Sequence, residues 1–532
     1  MLLTLPLKNT RSSLPRPENP TLLFGIWGLL GLHVLVWLAA YSLATANLDS
    51  YGDMLETYAW GQSLDWGSAK HPPLFAWVAG LWFDIFPTRD LFYFLLSYVN
   101  VAIGLLGVYR LAQALRLPHL AWPGVLLLCM AFPYSTLAAK FNANAILLSI
   151  WPWVAVAWLH SMRQVGRSGW LWSVALGVLS ALSMLGKYYS GVFLLGIFLT
   201  ALMSKEGRQW FRSFKPWLAF FVFVLCLLPH VQWLREHHFV TALYVDEQRA
   251  IDGSNAQPLL RFLIAPFLYW PLPWLLLAWF VAPDHAGFLQ RLRGLPLRMV
   301  RCWSPKGWDD TLFWLAVMPW LISLVFGLSG FVTMSVPWAI PIGFAFSLLW
   351  LRNLTADTTD LPRLLSQLRN SLLAWCILVV FLSPLYALYK GQTGSEKFYL
   401  PRREAAIEIL KGWHERHPSQ TLRWVGGAWP ENALLAFYGD SSIHVEPGVP
   451  DQFPATVNPL PNWSQQAGLL LCPMGSAQQP AETGCVDQMK VWLQAHGQQA
   501  EPIHISVQKQ GLLFPKQIPF SYIAFDYLPV RP

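Results

Sequence analysis

The chain has 532 residues, 55% of them hydrophobic and only 12% charged, with 30 tryptophans and a mean hydropathy of +0.38. A soluble domain carries about a quarter charged residues, so this composition excludes an ordinary globular protein and predicts a polytopic α-helical membrane protein. The net charge of +8 comes with no nucleic-acid motif, and its basic residues fall mainly in short loops between apolar segments, where they report topology.

Lys8, Arg11 and Arg16 precede an apolar run from 22 to 44 that is too long for a signal h-region and ends in no clean cleavage site, which predicts a retained first helix. Further runs lie at 91–109, 120–137, 145–160, 170–186, 190–203, 216–230, 260–282, 311–328, 335–350 and 371–389. About eleven spans, plus or minus two, are therefore expected. Basic residues concentrate in the N-terminal tail and in the even-numbered loops: Arg110, Arg116; Arg163, Arg167; Lys205, Arg208, Arg212, Lys215; Arg291, Arg293, Arg298, Arg301, Lys306; Arg352, Arg363, Arg369. The opposite loops hold fewer: Lys70, Arg89, Lys140, Lys187, Arg235, Arg249 and Arg261. This asymmetry predicts a cytoplasmic N-terminus and, with an odd number of spans, an outer C-terminal part.

The membrane region is expected over 1–390, with a first outer loop at 46–90. Beyond it, proline, glycine, glutamine and charge become frequent. Thr421–Val425, Gly468–Cys472 and Tyr522–Phe525 read as strands, and Ala405–Trp413 and Val486–His496 as amphipathic helices. Residues 391–532 are thus predicted to form a soluble mixed α/β domain on the outer face. Cys472 and Cys485 both fall there, as a disulfide suited to an oxidising compartment or as two ordinary thiols.

The first outer loop gathers polar groups between two apolar spans. Asp53 and Glu56 share a face on a short helix, with Asp49 one turn earlier; such carboxylates act as a general base, as metal ligands or as solvated charges. Lys70 and His71 stand before Pro72-Pro73, which stiffens the backbone at the depth of a lipid phosphate; the alternative for Lys70 is to snorkel. Lys187 lies in Gly186-Lys187-Tyr188-Tyr189-Ser190 on the side where topology disfavours cations, and an anionic ligand would balance it. Lys140, Asn142 and Asn144 form another outer knot, where asparagines bind sugar hydroxyls or cap a helix. The outer loop 231–257 is long enough for a lid, and Trp60 and Trp66 are placed where a sugar or isoprenoid could stack.

Asp53, Trp60-Gly61-Gln62, Trp66-Gly67 and Lys70-His71-Pro72-Pro73-Leu74 resemble the first outer loop of bacterial polyprenyl-phosphate-sugar glycosyltransferases, related to the protein O-mannosyltransferases and the lipid A aminoarabinose transferases. The resemblance extends to Lys140-Phe141-Asn142-Ala143-Asn144 and Lys187-Tyr188-Tyr189. It implies a GT-C glycosyltransferase fold and transfer of a sugar from an undecaprenyl phosphate carrier to a lipid A, glycan or protein acceptor at the periplasmic face of the inner membrane. By position Asp53 is the acidic catalytic residue, with Glu56 sharing that role or supporting the loop, and Lys70 or His71 contacts the carrier phosphate; Lys187 and Tyr188 are expected at the phosphate as well, and Asn142, Asn144, Tyr189 and Trp60 at the substrate. A divalent metal at Asp53 and Glu56 is a further option. Where many relatives have adjacent Asp-Glu, Met54 follows Asp53, and His71 stands between Lys70 and the prolines. A lipid-linked glycan flippase would be polytopic too, but calls for broken spans in matching halves; an O-antigen ligase is the nearest enzymatic alternative.

Overall fold

The computed structural model describes residues 25–529 except 46, 50–51, 248–255, 284–285, 331, 356–359, 394–399, 451–452, 455–456, 458, 477–478, 481–483, 500 and 510–518. Lys8, Arg11, Arg16, the start of the first span and Arg249 in the expected lid therefore lie outside the described residues.

The first span is α1 (Ile26–Ala44), followed by two short helices, α2 (Asp53–Gly61) and α3 (Leu74–Phe83), and the long α4 (Asp90–Ala114). Then come α5 (Ala121–Cys129), α6 (Leu147–Arg163), α7 (Gly166–Gly186), α8 (Ser190–Met203), α9 (Lys205–Phe211), α10 (Lys215–Glu236) and α11 (Val240–Glu247). The membrane region closes with α12 (Ala256–Tyr269), α13 (Pro271–Phe280), α14 (Phe288–Arg301), α15 (Thr311–Leu328), α16 (Phe346–Leu354) and α17 (Leu361–Thr393). Among the described residues, six helices are long and apolar enough to cross a membrane, namely α1, α4, α7, α10, α15 and α17, or up to nine if each of three bent pairs counts as one span.

The difference from eleven has local causes. The run 120–137 bends by 82° between the helical stretches Pro118–Cys129 and Phe132–Ala139, where Pro133 withholds an amide donor. The α8–α9 pair turns by 102°, with the Ser204 hydroxyl accepting the Gly207 N–H to start α9. The run 335–350 breaks into 3-10 turns at Val336–Ala339 and Ile342–Ala345 before α16, across Pro337 and Pro341. Phe220 and Phe221 of α10 and Ile377 and Phe381 of α17 are exposed, as lipid-facing side chains are.

The C-terminal part opens with α18 (Arg402–Arg416) and then runs β1 (Trp424–Gly427), β2 (His444–Val445), β3 (Gly468–Ser476), β4 (Gln479–Pro480), α19 (Gly484–Ala495), β5 (Ile503–Gln508) and β6 (Pro519–Tyr527). The sheet order is β2-β1-β3-β6-β5, with β4 on the end of β3. Pairing is parallel through β2, β1 and β3 and antiparallel through β3, β6 and β5. Strand periodicity sends Leu469 and Leu471 of β3 into the core shared with Ile409 and Trp413 of α18, and Leu470 and Cys472 against Met489, Trp492 and Leu493 of α19. Cys472 and Cys485 form a disulfide with Cα atoms 5.9 Å apart. This domain seats on α2 and thereby adjoins the first-loop carboxylates.

Candidate active site

α2 starts from Gly52, whose φ of +78° is left-handed, a conformation glycine adopts without strain. A Cβ there would lie 2.6 Å from Pro430 Cγ, so the bare backbone admits the C-terminal domain. The Asp49 carboxylate caps the helix, accepting the N–H groups of Asp53 at 3.1 Å and Met54 at 3.0 Å. Met54, Leu55 and Tyr58 are buried, which leaves Asp53 and Glu56 facing a cavity.

Asp53 Oδ2 is held twice, by Lys140 Nζ at 2.5 Å and by Asn142 Nδ2 at 3.1 Å. Lys140 also reaches Asp49 Oδ2 at 3.3 Å. Burial works to lower the Lys140 pKa, but the Asp49 and Asp53 carboxylates outweigh it and raise the pKa. Among the described residues Asp53 Oδ1 has no protein partner. Asn142 Oδ1 accepts the N–H groups of Asn144 at 2.9 Å and Ala145 at 3.1 Å, an Asx turn that leads towards α6. Asn144 Oδ1 accepts Lys187 Nζ at 2.8 Å. Burial pulls the Lys187 ammonium down to about 8; Asp53 opposes that shift and Lys140 adds to it.

Glu56 Oε1 takes Lys70 Nζ at 2.7 Å and Trp429 Nε1–H at 2.9 Å. The Ser68 hydroxyl donates to the His71 carbonyl at 2.9 Å and lies 3.1 Å from the His71 N–H, which fixes the turn before Pro72. Burial first, then Lys187 and Lys70, push the His71 imidazole well below its ordinary value, so this ring is neutral at physiological pH. Tyr188 Oη lies 2.6 Å from His230 Nε2, and His230 Nδ1 lies 2.5 Å from the Trp66 carbonyl. A carbonyl only accepts, so Nδ1 carries the proton and Nε2 accepts from Tyr188. Tyr189 Oη lies 2.6 Å from Ser323 Oγ.

Eight of these residues line a cavity of about 530 Å³: Asp53, Glu56, Lys70, His71, Asn144, Lys187, Tyr188 and Tyr189. Its other walls are Val192 and Leu195 of α8, Phe326 of α15, and Val332 and Met334. Tyr244 of α11 also lines it, so the described part of the 231–257 loop stands at its edge.

Two expectations need correction. Trp60 does not reach the cavity; it is 2% exposed and packs on Trp429 and Phe453 at ring distances of 4.6 and 5.5 Å, as a buried contact under the C-terminal domain. Asn142 supports Asp53 and the following turn and does not line the cavity. A metal at Asp53 and Glu56 does not fit the donor set. Each carboxylate is paired with an ammonium, and among the described residues no three His, Cys, Asp or Glu side chains converge. Sequence reasoning missed the pairing of Lys140 with Asp53, for which an unbalanced outer-face lysine was the sole signal, and missed Trp429, for which there was none.

A multi-span helical region with a carboxylate-bearing first loop and a capping α/β domain is the fold of the GT-C glycosyltransferases. Residues 70–233 match the family described as dolichyl-phosphate-mannose-protein mannosyltransferase. The crystal structure of ArnT from Cupriavidus metallidurans bound to undecaprenyl phosphate aligns with a TM-score of 0.53 at 13% identity, over 93% of this chain and 98% of that one. Its apo form gives a TM-score of 0.52 at 13% identity, over 93% and 97%. No curated protein matches the sequence. The chain thus shares the fold of these structures along almost its whole length, and its family match is confined to residues 70–233.

Proposed function

We propose that this protein transfers a sugar from undecaprenyl phosphate to a cell-envelope acceptor, whether lipid A, another glycan or a protein, at the periplasmic face of the bacterial inner membrane. The N-terminus is cytoplasmic, residues 1–390 form the membrane catalytic region and residues 391–532 the periplasmic domain. The observation that carries this reading is the mixed lining of one cavity, by lysines and carboxylates and by Val192, Leu195 and Phe326. A polyprenyl phosphate combines an anionic head with an apolar chain and suits such a lining. The match to ArnT bound to undecaprenyl phosphate supports the choice of carrier.

Lys70 and Lys187 hold the carrier phosphate, the neutral His71 imidazole adds a hydrogen bond from its N–H, and Tyr188, whose hydroxyl proton goes to His230, lines the phosphate pocket beside them. Lys140 and Asn142 grip Asp53 Oδ2, so Oδ1 faces the acceptor. As the acceptor oxygen or nitrogen attacks the anomeric carbon from the face opposite the phosphate, the bond from that carbon to the phosphate oxygen breaks. Its electron pair leaves on the polyprenyl phosphate, and the acceptor proton passes to Asp53. The lysines offset the charge that builds on the leaving phosphate, and configuration inverts.

Transfer of radiolabelled sugar from envelope lipids by the purified protein tests this. Wild type is expected to transfer, and Asp53→Asn to bind carrier lipid normally while turning over about 10²–10⁴-fold more slowly, the range for loss of a general base. A wild type that moves lipid-linked glycan between leaflets without consuming a polyprenyl-phosphate sugar would replace the reading with a transporter. An Asp53→Asn variant as active as wild type would remove Asp53 from the chemistry.

A further inference from the structure

We infer that the C-terminal domain completes the donor phosphate site, with Trp429 as a positioning residue that acts on Lys70 through Glu56. This rests on the donor reading proposed above. One oxygen, Glu56 Oε1, accepts both Lys70 Nζ at 2.7 Å and Trp429 Nε1–H at 2.9 Å. The Phe453 ring, from the same domain, lies 5.6 Å from Lys70 Nζ. The Glu56 and Lys70 side chains are 13% and 26% exposed.

A free lysine samples many rotamers, and a lone surface ion pair restrains it weakly. Here the indole N–H fixes the carboxylate, the carboxylate fixes the ammonium, and Phe453 covers it from one side. Lys70 therefore meets the phosphate already in place, which lowers the ordering cost of binding. Glu56 is then the orienting counter-ion of a donor cation, and Asp53, gripped by a different lysine, is left to the acceptor. The Trp429-Pro430 segment reaches this position because Gly52 has no side chain to meet Pro430. Gln62 at the end of α2 ties the same domain down by donating to the Ile443 carbonyl at 2.9 Å and accepting the Val445 N–H at 3.0 Å.

The test is binding of undecaprenyl phosphate to the purified full chain without acceptor, with donor KM and kcat measured alongside, for wild type, Trp429→Phe, Glu56→Gln and the double variant. Trp429→Phe keeps a ring against Trp60 and removes the N–H. It is expected to weaken carrier binding about tenfold, as loss of a hydrogen bond to a charged group does. Its kcat at saturating donor should stay within about twofold of wild type. In the Glu56→Gln background the same change is expected to add less than about twofold, because the effect runs through that carboxylate. Unchanged carrier binding in Trp429→Phe overturns the inference, as do losses that simply multiply in the double variant. If Trp429→Phe lowers Tm, Phe453→Leu replaces it: a roughly threefold weaker binding at unchanged Tm supports the inference, and wild-type binding overturns it. A wild type that binds no undecaprenyl phosphate refutes the donor reading itself, whereas wild-type binding with an indifferent Trp429 refutes only this inference.

Discussion

Lys187, proposed above to hold the donor phosphate, is drawn down by burial to where it titrates close to physiological pH. The residue is 8% exposed, its ammonium holds its proton only to about pH 8, and the charged form is the one that attracts phosphate. Donor KM is therefore expected to be flat below about pH 8 and to rise above it, while Lys187→Arg, with a guanidinium that stays charged, moves the rise out of range. Unfolding does not mimic this: the folded pKa lies below the ordinary lysine value of 10.5, so the unfolded chain binds more protons in that window and this group adds stability as pH rises through it. KM and Tm measured together from about pH 7 to 9.5 separate the two effects. Lys140 is the complementary case. Lys140→Met leaves Asp49 and Asp53 without their shared cation, and kcat is expected to fall about ten- to a hundredfold with donor KM nearly unchanged, read from initial rates. Asp53, Lys70 and Lys187 stood out in the sequence because charge beside apolar spans is conspicuous. Their side-chain partners Lys140, Asn142, Glu56 and Asn144 stood out too, but not which group each one meets: Glu56 takes an indole 373 residues away, and no local pattern encodes that distance.

At the level of elements, α2 and α3 cross where Gly61 meets Gly80. A Cβ on Gly80 would sit 2.3 Å from the Gly61 carbonyl oxygen, and one on Gly61 2.6 Å from that of Ala76. Gly80→Ala must push the helices apart, with an expected loss of about 1–3 kcal/mol visible as a lower Tm, and lower transfer as Asp53 and Glu56 shift with α2. In the C-terminal domain the disulfide closes a sequence separation of 13 residues. Replacing both Cys472 and Cys485 with Ser is expected to destabilise that domain by about 3 kcal/mol, measured by thermal unfolding of its tryptophan signal. The sequence made long uniform spans such as α4 and α10 legible because hydropathy alone decides them. It joined 120–137 and 335–350 into single runs because hydropathy does not register a missing proline N–H. The strands Gly468–Cys472 and Tyr522–Phe525 fall within β3 and β6, since turn residues bracket apolar runs too short for helices. The attachment of that sheet to α2 was invisible, because its anchors are single side chains scattered over the chain.

In the whole molecule, that attachment is where stability and function meet. Arg402 is 2% exposed and binds Glu431 through Nε and Nη2 at 3.0 and 2.8 Å, while its Nη1 donates to the Asp49 carbonyl at 2.7 Å. One guanidinium thus joins the C-terminal domain to the residue whose carboxylate caps α2 and contacts Lys140. Around it Tyr58 meets Phe437 at a ring distance of 5.2 Å and Trp60 meets Trp429, so the seam is apolar apart from the groups that fix its register. Such a pair contributes little net stability over an apolar replacement of both partners, but removing one partner strands a buried charge at a cost of about 3–5 kcal/mol. Arg402→Met is therefore expected to loosen the seam. Limited proteolysis should then separate the C-terminal domain from the membrane region faster than in wild type, with the membrane region still inserted. Donor KM should rise together with that cleavage rate, because Glu56 loses Trp429 when the domain lifts. Pairing Arg402→Met with Glu431→Leu removes the stranded carboxylate and is expected to recover part of the protease resistance. A domain that merely selected the acceptor would lift without changing donor KM, so the joint response of cleavage and KM decides whether this seam belongs to the donor site.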